Sequence, residues 1–153
     1  MRRVSVLAFA IGLVALCGTT KADEEADKKA LKELEGNYLL VGLESKGFKL
    51  TEEDINKNIK EDERKIVIKG DQIIATSGGK EDPATIKLDA SKKPPQIDIT
   101  STKDGKTETN YGIYKLENGV LTICATEKGE AKDRPKEFKA DDKSLMIVLK
   151  KQK

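Results

Sequence analysis

Residues 111–126 read YGIYKLENGVLTICAT, and no other stretch constrains the chain as tightly. Two apolar runs flank Asn118-Gly119, a pair that tolerates the positive φ a type I′ turn needs at both central positions. Closing a two-residue turn there sets Leu116 opposite Leu121, Tyr114 opposite Ile123 and Gly112 opposite Ala125. That is one apolar face. The other face pairs Ile113 with Cys124, Lys115 with Thr122 and Glu117 with Val120. A slip of one residue would set Lys115 against Leu121 and Tyr114 against Thr122, and would mix the two faces. Turn chemistry and side-chain pattern therefore select one register.

The rest of the chain reads as more of the same. Residues 65–69 and 72–77 flank Gly70-Asp71, a Gly-X turn that pairs Ile68 with Ile73 and Ile66 with Ala75. Gly78-Gly79 makes the next turn. Residues 84–89 and 96–101 alternate apolar and polar, with Pro94-Pro95 between them. Asp104-Gly105 then turns the chain so that Ile99 meets Asn110 and Ile97 meets Gly112. Two separate turns thus agree that Gly112 lies on the apolar face. A short strand is expected around Phe138, a turn at Asp141-Asp142, and a last strand over 145–149.

Two helices complete the reading. Over 23–35, Ala26, Ala30, Leu31 and Leu34 form one stripe, Glu24–Lys28 and Glu25–Lys29 make i,i+4 pairs, and Gly36 ends the helix. In the first long connection, 47–63, Thr51 caps a short helix, with Leu50 able to staple onto Ile55 and Ile59 sharing its stripe. This insert reads as a lid or side brace. The strand between the helices, 38–43, is apolar on both faces: Tyr38 and Leu40 on one, Leu39, Val41 and Leu43 on the other. It is expected to lie under the first helix.

These elements predict a mainly β domain, an antiparallel up-and-down, lipocalin-like β-barrel of about eight to ten strands. Closure removes unpaired edges, and the first and last strands, both apolar on two sides, are suited to pair.

The first 22 residues read as a signal peptide, leaving a single domain over 23–153. Arg2-Arg3 is a basic start, 4–16 is almost wholly apolar, and Thr20 and Ala22 supply small residues for cleavage ahead of Asp23. The apolar run is short for a membrane span. Cys17 offers a lipid-anchoring alternative, disfavoured because Leu16 stands where that pattern wants a small residue. The expected location is therefore exported, periplasmic or extracellular, with no stable membrane span after cleavage.

Removing Arg2, Arg3 and Lys21 from the 29 basic residues leaves 26 against 27 acidic ones, a net of −1. The two signs alternate along most of the chain, which argues against a nucleic-acid footprint. There is no histidine, the commonest general base and metal ligand. Only Cys124 survives cleavage, so no internal disulfide forms.

Four segments, LEGNYLLVGLES (34–45), KKPPQIDIT (92–100), the hairpin itself and RPKEFKADDKSLMIVLKK (134–151), follow one another in an order that resembles a family. It is a small secreted domain family of unassigned function, abundant in planctomycete bacteria and described as lipocalin-like. The resemblance implies the barrel and secretion, and no reaction or ligand. Cys124 and Arg134-Pro135 match the family pattern. Where the family has Gly-x-Trp at the first strand, this chain has Gly36-Asn37-Tyr38.

No catalytic group, metal set or cofactor is expected. Cys124 faces Ile113 with no base beside it and reads as a small apolar residue. Asp141-Asp142 and Glu52-Glu53-Asp54 lack the alternating spacing of a calcium loop. The barrel interior remains. Tyr38, Ile86, Leu88, Ile97, Ile99, Tyr114, Leu116 and Ile123 are the candidate ligand-binding residues there, with Gly112, Leu121 and Ala125 on the same face. An eight-stranded barrel either holds one small ligand or fills its interior with side chains. The first expectation is a non-enzymatic domain binding a small apolar molecule inside. The second is a non-enzymatic protein-interaction or scaffold domain with a filled core.

Overall fold

The computed structural model describes residues 21–153. Residues 1–20 of the expected 22-residue leader, Cys17 among them, lie outside the described residues. Helix α1, Lys21–Leu34, comes first, so the expected processed start at Asp23 falls within its first turn. Nine strands follow: β1 Gly36–Ser45, β2 Phe48–Leu50, β3 Lys65–Lys69, β4 Gln72–Ser77, β5 Lys80–Asp89, β6 Gln96–Lys103, β7 Lys106–Glu117, β8 Val120–Thr126 and β9 Ser144–Lys151. Every neighbouring pair is antiparallel, and β9 returns to β1. Eight strands thus close an up-and-down barrel, and β2 stands outside it on β1. Among the described residues, no helix is long and apolar enough to cross a membrane.

The turns set the registers, as expected. Asn118 and Gly119 take φ of 53° and 77°, and Gly112 pairs with Ala125, Tyr114 with Ile123 and Leu116 with Leu121. Asp104-Gly105 pairs Ile97 with Gly112, and the Gly70 turn pairs Ile68 with Ile73. Gly112 is needed for a second reason. A Cβ there would lie 2.7 Å from the Cys124 carbonyl oxygen and 2.8 Å from the Ala125 Cβ, so β7 and β8 approach more closely than any side chain permits.

One end of the barrel holds the start of β1, the end of β9, and the turns at Gly70, Ala90 and Gly119. Helix α1 crosses this end, and hydrogen bonds to it and to the following Glu35 tie it down. The Ala90 amide donates to Asp27 (2.7 Å), the Gly70 amide donates to Glu35 (3.0 Å), and Lys151 donates to the Glu33 carbonyl (3.1 Å). Leu34 is buried in the barrel core, with Ala30 and Leu31 packed against it. The apolar stripe of the helix supplies the floor, which is why a helix so charged on its other face docks here.

Four local expectations are corrected. The outer side of β1 is braced by α2, Glu52–Asn58, rather than by α1. Thr51 caps α2 in a reciprocal capping box with Asp54, and Ile55 is fully buried, so the insert is a side brace. A bulge between Leu40 and Gly42 in the β1–β9 pairing shifts the alternation, so Leu43 pairs with inward-facing Ile147 and joins the face of Leu40. No strand forms around Phe138, because the long β8–β9 connection folds onto the barrel wall instead of pairing. Finally, the short strand β2 forms where only polar loop was expected, since Phe48–Leu50 lies within reach of the β1 edge across the Lys46-Gly47 turn.

Candidate functional site

The eight residues expected inside the barrel do share one face. Tyr38, Ile86, Leu88, Ile97, Tyr114 and Ile123 are buried in a single apolar cluster, and Ile99 and Leu116 pack against it partly exposed. Ile97, Leu121, Ile123 and Leu149 have 0 % of their surface accessible. A water-sized sphere touches none of them from any direction, the barrel lumen included. The lumen around these four residues is therefore closed by side chains. Tyr38 completes this floor. Its hydroxyl donates to the Leu34 carbonyl (2.7 Å), and the Lys151 ammonium sits 5.7 Å from the centre of its ring. That bond satisfies the one polar atom the ring carries into the core. Burial pushes the Tyr38 phenol up, and burial aided by Asp27, Glu33 and Asp89 pushes Tyr114 up to about 12. Toward the other end the interior side chains shrink to Ala75 and Ala84, and these two, like Ile99, are only partly buried.

The outer face of the β7–β8 hairpin is buried as well. Ile113 and Cys124 point away from the lumen yet are 1 % and 0 % exposed. The β8–β9 connection, residues 127–143, lies across them as a strap. Cys124 donates through Sγ to the Lys139 carbonyl (3.4 Å), and burial raises its pKa above the ordinary thiol value. A thiol held protonated under a strap is a packing group.

Arg134 fastens the strap, and it is the residue that sequence reasoning left without a role. Its Nη1 donates to the carbonyls of Gly112 (2.7 Å) and Ile97 (3.2 Å). Its Nη2 donates to Asp98 (2.7 Å) in an ion pair whose side chains are only 15 % and 29 % exposed. The guanidinium also lies 5.4 Å from the centre of the Tyr111 ring. A planar cation with several donors is suited to such a junction, where lysine is not. The available signal was that an arginine followed by proline is conspicuous in a chain whose basic residues are nearly all lysine. Two further ties anchor the start of the strap: Asn110 donates to the carbonyls of Thr126 (2.6 Å) and Glu127 (3.0 Å), and Thr126 accepts from the Tyr111 amide (3.0 Å).

Between this strap and the β5–β6 connection runs an outer groove of about 520 Å³. Lys93-Pro94 forms one wall and residues 131–136 the other, with Gln96 and Ile113 at the floor. A smaller hollow of about 120 Å³ shares Gln96 and Arg134 with it and continues past Asp98 to Asp89. This groove lies on the outside of the barrel, on a wall stiffened by Arg134; further hollows of about 440 and 300 Å³ lie beside residues 107–111 and at the β6–β7 turn. The Tyr114 amide, donating to the Pro95 carbonyl (3.0 Å), holds the opposite wall in place.

No family model, no curated protein and no solved structure matches the chain. Among the described residues, no group of three or more metal-ligating side chains stands close enough to hold an ion.

Proposed function

We propose that this chain is an exported, non-enzymatic interaction domain whose barrel core is filled and whose binding surface is its outer wall. The observation that carries the reading is the contrast just described. Ile97, Leu121, Ile123 and Leu149 leave no accessible surface in the lumen, while a groove of about 520 Å³, within the range that small ligands and peptides occupy, opens on the outside. Export is supported by the leader: Arg2-Arg3, the apolar run and the small residues Thr20 and Ala22. The ordered segments that resemble small secreted lipocalin-like domains support the same placement, and that kinship is part of the proposal.

The alternative, a small apolar molecule bound inside, is favoured by one feature: the partly buried, small-residue mouth at Ala75, Ala84 and Ile99. An apolar fluorescent probe titrated into the processed protein separates the two. A filled core gives no saturable binding, and native mass spectrometry shows only the mass of the chain. Stoichiometric probe binding, lost when Ile99 is replaced by a bulkier side chain, would overturn the surface reading.

A further inference from the structure

We infer that the outer groove docks an extended acidic peptide segment, an assignment that rests on the surface-acting reading above. Charge is the first argument. Positive and negative side chains nearly cancel over the processed chain, yet four of the nine residues lining the groove are cations and none is a carboxylate. Arg134 is committed to Asp98 and to two backbone carbonyls. Lys93, Lys132 and Lys136 are left to face a ligand. Lys132 touches Glu130, but both ends of that pair are about three-quarters exposed, so an incoming carboxylate can replace it at little cost.

Shape is the second argument. Pro94, Ala131 and Pro135 stand among the cations, giving apolar surface for the aliphatic parts of a chain. The walls are already fixed by Arg134 and by the Tyr114–Pro95 hydrogen bond, so binding orders little of the protein. A peptide fits this charge distribution better than a uniformly anionic polymer does. The adjoining hollow carries Asp89 and Asp98 together with Lys87 and Arg134, so its charges balance. The excess of positive charge is confined to the stretch lined by Lys93, Lys132 and Lys136. A short run of acidic side chains matches that stretch, whereas a polymer charged along its whole length would leave most of its charge unmatched.

Fluorescence anisotropy with a labelled peptide, acidic in one half and neutral in the other, tests the assignment on the processed protein. Saturable binding that weakens as salt rises is expected. Lys93→Glu combined with Lys136→Glu should weaken it on the order of tenfold, the scale of one or two rim charges. Lys103→Glu combined with Lys106→Glu, at the β6–β7 turn, should leave it unchanged; thermal melts confirm that both double variants fold. Absence of saturable binding, an equal loss in both double variants, or tighter binding of a heparin oligosaccharide at the same lysines would each overturn the inference. Peptide failure with a silent lumen removes only the groove assignment, whereas an apolar probe inside the barrel removes the surface-acting reading itself.

Discussion

The two faces of the β7–β8 hairpin are both buried, but by different physics. The inner face is covered by apolar side chains from other strands, each delivered by a turn that sets its register. The outer face is covered by the strap, which has no periodic apolar pattern and is fastened through Arg134, Asn110 and the Cys124 thiol. One face is held by area removed from water and the other by directed hydrogen bonds. Removing part of the first should weaken the whole barrel. Removing part of the second should open one region while the barrel stands.

The largest effect is expected from Leu121→Ala. Leu121 is fully buried at the centre of the cluster, and the cavity left should cost about 2–5 kcal/mol. Denaturant melts should show loss of the whole fold in one transition, with Cys124 becoming reactive only as circular dichroism is lost. Arg134→Ala comes next. Losing three charge-assisted hydrogen bonds and leaving Asp98 without its partner should cost about 1.5–3 kcal/mol. Here Cys124 should react with a thiol reagent under conditions where the strand signal is intact. If thiol protection and strand signal vanish together in this variant, strap and barrel are one cooperative unit and the contrast is wrong.

That difference also governs what could be read from the chain. The inner face was legible because a turn of Asn118-Gly119 type and a period of two are local properties, fixed by a few neighbouring residues. Even the closure of β1 onto β9 followed from two strands apolar on both sides. The bulge at Leu40/Gly42 was not legible, since it arises from the geometry of closure and no local signal marks Val41. The strap was not legible either. Its sequence, EKGEAKDRPKEFKADDK (127–143), is that of a solvated loop, and Phe138 invited a strand there. Arg134 finds Asp98 and two carbonyls across 36, 37 and 22 residues of chain, a coincidence that only the folded barrel creates. The outer groove inherits this obscurity, because each of its walls is held by such a contact.

Gly112→Ala sharpens the inner half of the comparison. The added methyl meets the Cys124 carbonyl and Ala125 inside contact distance, so β7 and β8 must separate, at about 1–3 kcal/mol. A melting temperature equal to that of the parent would mean that the wall yields more easily than a filled core should. The smallest effect is a slope. Tyr114 holds its proton to about pH 12 in the fold against an ordinary value of 10.0. The protonated phenol therefore favours the folded state: that stability is fully present below pH 10 and is lost as pH rises from about 10 to about 12. Tyr114→Phe should flatten the alkaline fall in stability over that window. An unchanged slope would show that Tyr114 is not sealed beneath α1.

The lumen around Ile97, Leu121, Ile123 and Leu149 is filled by side chains, and the proposed outer-wall binding rests on that filling. Methyl-resolved NMR under xenon pressure reads this directly, because xenon enters dry apolar cavities and shifts the methyl groups that line them. No saturable shift is expected at the methyls of Ile97, Leu121, Ile123 and Leu149. Saturable shifts at those four residues would show a hollow barrel and contradict the filling.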